Sequence, residues 1–197
     1  MTGIHFAHPS NRFWPALKKA GIINWVPDVS PIAPSIPAGL RSERLRTAAT
    51  QTHFGHPSNR LYPALSRAGI IDWTVGPDTG MTDAQREEFV FLGMGITNLV
   101  PRATVRASEL SRTELRQGGE RLRDLVGEMS PRLVAVAGVT AYREAFGERR
   151  ATLGRQSSDL GPSALWVVPN PSGLNAHETI DTLADWYLKV AREAGVL

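Results

Sequence analysis

Apolar residues recur along this chain of 197 residues at two spacings, and each spacing predicts a different element. From Thr179 to Ala194, residues Ile180, Leu183, Ala184, Tyr187, Leu188 and Ala191 return at intervals of three and four, which predicts an amphipathic closing helix. Leu133 to Ala137 and Leu165 to Val168 are instead short unbroken apolar runs, partly β-branched, the pattern of strands buried on both faces. Gly95 to Val100 predicts a further short strand, ended by Pro101. Thr82 with Gln85, and Ser111 with Glu114, have the spacing of capping boxes, so a helix starts after each, the second running to about Gly127. Another helix is expected from about Thr140 to Phe146, opened by Gly138.

One pattern occurs twice. His5-Phe6-Ala7-His8-Pro9-Ser10-Asn11-Arg12 returns as His53-Phe54-Gly55-His56-Pro57-Ser58-Asn59-Arg60, and the similarity continues to Trp25 and Trp73. Two copies are too few for a solenoid, so a local duplication is the simpler reading. Each copy predicts a helix with Ser10 or Ser58 as its cap and Gly21 or Gly69 as its stop. Between the copies, Val26 to Gly39 holds Pro27, Pro31, Pro34 and Pro37, a density that disfavours helix and central strand and predicts an extended loop.

Strands alternating with helices indicate an α/β fold with a mostly parallel sheet, in which ligands sit beyond the carboxyl ends of strands. That directs attention to the loops after Val100, Ala137 and Val168. Composition narrows the classes. With 42% hydrophobic and 21% charged residues the chain can bury one sizeable core, and no apolar run is long enough to span a membrane. Met1 to Pro9 do not resemble a secretory signal. The absence of cysteine removes disulfides, thiolate metal sites and a thiol nucleophile, and fits a cytoplasmic protein. Formal net charge is only +3, but arginine dominates the cations of the second half, which permits phosphate contacts, although on charge alone a solvated basic surface is the simpler reading.

The loop Pro169-Asn170-Pro171-Ser172-Gly173-Leu174-Asn175 carries the most chemistry: an amide, a hydroxyl and an apolar side chain on a segment stiffened by two prolines. Alone it could be an ordinary turn. Taken in order with Thr47 to Arg60 and Gly95 to Thr104, it resembles the bacterial mismatch-specific uracil-DNA glycosylases, relatives of thymine-DNA glycosylase. The resemblance covers about Leu45 to Leu197, leaving residues 1–44 as a divergent segment.

The resemblance implies a three-layer fold with a central, mostly parallel four-stranded sheet between helices. It implies hydrolysis of the N-glycosidic bond of uracil, or a related damaged pyrimidine, opposite guanine after the nucleotide is flipped out. The partner is double-stranded DNA with a G:U or related mismatch, the protein a monomer near the bacterial nucleoid, with no membrane, metal or organic cofactor. By similarity Phe54 stacks on the flipped base, while Thr47 and Asn98 line the pocket. Asn170 binds the leaving base, Ser172 approaches a phosphate, backbone near Gly173 faces the widowed guanine, and Leu174 wedges into the vacated step. The family often has lysine at Asn98 and arginine at Ala176, which this chain lacks.

One expected motif is altered. The family begins with a buried strand leading into Gly-Ile-Asn-Pro-Gly, whose asparagine holds the attacking water. Counting back from Phe54 places that asparagine on Ser42, within Leu40-Arg41-Ser42-Glu43-Arg44, preceded by the proline-rich stretch and not by an apolar run. Three readings stay open: an impaired or silent duplex-binding homologue, water held by Ser42 or Glu43, or a rearranged or misassigned N-terminus. A protein acting on free nucleosides or nucleotides is the remaining rival, since fold alone fixes no chemistry.

Overall fold

The computed structural model describes residues 53–75, 80–100 and 109–197. Ser42, Glu43, Thr47, the first repeat copy and the proline-rich stretch lie outside the described residues. The elements are α1 (Leu61–Arg67), α2 (Asp83–Phe91), α3 (Arg112–Met129), β1 (Leu133–Ala137), α4 (Val139–Phe146), β2 (Gly154–Arg155), β3 (Ala164–Val168) and α5 (Ile180–Ala194). The chain divides into two units. Among the described residues, 53–57, 75, 80–100 and 109 belong to the first, and 58–74 and 110–197 to the second.

In the first unit, Thr82 caps α2 as its spacing predicts. Its hydroxyl accepts from the Gln85 amide at 3.2 Å, and the Thr82 amide donates back to Gln85 Oε1 at 2.9 Å. Met81 and Phe89 are buried. Gly95 to Val100, expected as a strand, forms none. Its residues alternate between exposed and half-buried up to Asn98, whose side chain engages His53, so the run serves as irregular chain that presents one polar group.

The second unit holds the sheet, of order β1-β3-β2. β1 pairs with β3 in parallel, Leu133 opposite Ala164 through Ala137 opposite Val168, and β2 pairs with β3 antiparallel. Among the described residues the sheet is therefore three-stranded and mixed, where four mostly parallel strands were expected. The two-residue β2 has no apolar run to announce it. β3 is the central strand, with Leu165, Val167 and Val168 buried. β1 was expected to be buried on both faces, yet Ala135 is exposed and only Val136 is fully buried, because β3 is its sole partner among the described residues.

Helices pack in two pairs, α3 with α4 and α1 with α5, and α4 and α5 lie against β1 and β3. Ser111 and Glu114 form the expected box at α3, and Thr179 with Thr182 caps α5. α5 buries Leu183, Ala184, Tyr187 and Ala191 as its periodicity predicts, while Ile180 in its first turn stays 40% exposed. α1 buries Tyr62, Ala64 and Leu65 and ends near Gly69, again as expected. Its start differs. Ser58 does not cap it, since the helix begins at Leu61 and the Asn59 side chain accepts the Leu61 amide at 2.9 Å. Ser58 is used elsewhere.

Candidate active site

The parallel pair β1 and β3 ends in two loops held side by side. The Gly138 amide donates to the Val168 carbonyl at 2.8 Å, joining the two carboxyl ends. Gly138 has φ +101°, a conformation L side chains rarely adopt, and a Cβ there would stand 3.7 Å from the Cβ of Asn170. Glycine thus opens the first loop, and Asn170 opens the second beside it.

From Pro169 the chain makes successive small turns. Pro169 and Pro171 are buried and anchor the loop, while Asn170 and Gly173 are exposed. The Ser172 amide donates to Asn170 Oδ1 at 3.0 Å, an Asx turn, and the Leu174 amide donates to Ser172 Oγ at 3.3 Å. Asn175 Nδ2 donates to the Asn170 carbonyl at 3.0 Å, and the Asn175 amide to the Ser172 carbonyl at 3.0 Å. Because Asn170 Oδ1 accepts a backbone N–H, its amide orientation is set by the network, and Nδ2 is left as a donor with no partner among the described residues. Leu174 stands at the tip, 93% exposed. A leucine so displayed has no use in the core.

Support for this loop comes from the second repeat copy, a role the sequence reading did not assign. A Cβ on Gly173 would meet the Ser58 carbonyl oxygen at 2.5 Å and Ser58 Cβ at 2.7 Å, so only glycine lets the two backbones approach. The Arg60 amide donates to the Pro171 carbonyl at 2.9 Å. Its guanidinium donates to the carbonyls of Ser172 and Glu178, and to that of Asn175 at 2.8 Å. Tyr187, on α5, has its hydroxyl buried without a partner among the described residues, and burial, with Glu178 adding and Arg60 opposing, raises its pKa above the usual range. It stays a neutral phenol.

Among the residues expected at the site, Asn170, Ser172, Gly173 and Leu174 therefore lie together in the second unit. Phe54 and Asn98 belong to the first. There Phe54 is half-buried with φ +56°, a left-handed backbone that is unusual for an aromatic residue and costs energy. Its neighbour His53 is buried and contacts Asn98 Oδ1 through Nδ1 at 3.2 Å. This link brings the Phe54 segment and Asn98 together within the first unit. Ser42, Glu43 and Thr47 fall outside the described residues. Among the described residues no group of three or more His, Asp or Glu is arranged to hold a metal ion, and no helix is long and apolar enough to cross a membrane.

A family model described as the uracil DNA glycosylase superfamily matches residues 33–193, most of the chain. The chain belongs to the uracil-DNA glycosylase superfamily. Its α/β architecture is the one this membership implies. Members of the superfamily are hydrolytic glycosylases acting on DNA, and the match spans both the Phe54 segment and the loop after β3. Within that match, the loop after β3 brings together an amide donor, main-chain and hydroxyl groups and an apolar tip.

Proposed function

We propose that this protein is a mismatch-specific DNA glycosylase that flips uracil, or a related damaged pyrimidine, from opposite guanine and hydrolyses its glycosidic bond. The observation that carries the reading is the loop after β3, in which a rigid Asn-Pro-Ser-Gly turn displays Leu174 almost wholly to solvent. Cleavage develops negative charge on the departing uracil, and the Asn170 Nδ2 donor is suited to stabilise it. Ser172 and the adjacent backbone suit a phosphate, and the main chain at Gly173 suits the widowed guanine. Leu174 is proposed to fill the vacated base step. In the other unit, the ring of Phe54 is proposed as a stacking face for a pyrimidine, and strained backbone of this kind clusters at functional sites.

The test is release of free uracil, read as abasic-site cleavage, from a G:U duplex, with A:U and undamaged duplexes as comparison. Release from G:U in preference to A:U supports the reading; equal release overturns the mismatch preference. A second reading rests on Ser42 standing where the family's water-positioning asparagine is expected. On that reading the chain binds mismatched duplex and cleaves nothing, which the same assay reports as binding without product.

Leu174→Ala separates the wedge from general DNA affinity. Truncation removes about 2 kcal/mol of apolar burial available only in the flipped complex, so kcat/KM should fall roughly 30-fold. Binding to undamaged duplex, and its salt dependence, should stay unchanged because no cation is lost. Equal loss of both would count against the wedge.

A further inference from the structure

The loop's internal turns shape it locally, whereas hydrogen bonds from Arg60, 112 residues before Ser172, tie its tip and exit to the body of the second unit. We propose that Arg60 is a positioning residue, whose guanidinium holds the loop 169–178 so that Asn170 and Leu174 are presented in one arrangement. This deepens the glycosylase reading and rests on it.

The bonds within the loop link residues two to five apart, so they fold the turn without fixing where it sits. Arg60 does the latter. Its main chain holds Pro171, and its side chain reaches the carbonyls of Ser172, Asn175 and Glu178, the last beside the Thr179 cap of α5. One planar fork thus spans the tip of the loop and its exit. The Ser58–Gly173 approach closes the same side. Arg60 Nε is buried without a partner among the described residues, so the side chain does not complete a balanced polar network. Its geometry serves the loop carbonyls. A lysine offers a point charge on a flexible stem and cannot reproduce a rigid fork aimed at three oxygens.

Arg60→Lys, Leu174→Ala and the double variant test this in the full-length chain. Hydrogen exchange read by mass spectrometry should quicken at Ser172, Leu174 and Asn175 in Arg60→Lys and stay unchanged across β1. Single-turnover release of uracil from a G:U duplex should slow at least about tenfold, because small misplacements of reacting groups are costly. Affinity for undamaged duplex should hold. The double variant should be no slower than the slower single variant, since both changes disable one wedge. A merely structural arginine would instead raise exchange in β1 as well and give losses that multiply, and that result overturns the proposal. If wild-type protein excises uracil and Arg60→Lys keeps full rate and loop protection, the brace fails and the glycosylase reading stands. If wild-type protein releases no uracil while the loop still loosens in Arg60→Lys, the glycosylase reading fails and the brace stands.

Discussion

Gly173→Ala should lower uracil excision by about 10²-fold while leaving the protein folded, the scale expected when an active-site segment moves by about 1 Å. The added methyl carbon would lie 2.5 Å from the Ser58 carbonyl oxygen, 2.7 Å from Ser58 Cβ and 2.8 Å from Ser58 Oγ. No real Cβ tolerates such contacts, so one segment must give. Ser58 is poorly placed to yield, because it leads through the buried Asn59 into α1, whose Tyr62, Ala64 and Leu65 are buried. The exposed tip yields instead, and Asn170 and Leu174 move with it. Overpacking of this kind costs about 1–3 kcal/mol, which a folded domain survives. Ser58→Gly in the same chain removes the clashes with Cβ and Oγ but leaves the carbonyl, so it should restore only part of the rate. Single-turnover excision on a G:U duplex reads both effects, and full activity of Gly173→Ala would refute the close approach as a functional constraint.

Leu183→Ala should be the most destabilising single truncation in the second unit, at about 2–5 kcal/mol. Leu183 has no solvent exposure and sits on α5, which packs on α1, β1 and β3. Removing its isobutyl group forfeits burial and leaves a cavity among elements that cannot collapse independently, since two strands and a helix meet there. Each kcal/mol shifts the melting temperature of a domain this size by about 2–4 °C, so the loss is visible in a thermal melt monitored by circular dichroism. At the same temperature, Leu174→Ala should leave the melt unchanged, because its side chain contributes nothing to the core. A melt in which the two leucines cost alike would contradict the assignment of one to the core and the other to an exposed tip.

The elements whose signals are local were legible in the sequence. Capping boxes at Thr82 and Ser111 depend on residues three apart, and both occur where that spacing places them. The apolar runs at Leu133 and Leu165 became β1 and β3, and the periodicity after Thr179 became α5. The run at Gly95 misled, because six residues of mixed polarity can extend without finding a ladder partner. Ser58 misled for a related reason. A cap is inferred from the few residues on its C-terminal side, whereas Ser58 is claimed by Gly173 from across the fold.

The sequence by itself determined the superfamily, the helices and strands with short-range patterns, and the residue types of the loop after β3. Tertiary structure alone decided that Arg60 would grip that loop, that His53 would meet Asn98, and that β2 would join the sheet antiparallel. The division has a physical cause. Backbone propensity and capping act over a few residues and leave a spacing that can be read. Contacts such as Arg60 to Ser172 join residues distant in the chain, and only the packed sheet and helices bring their atoms together.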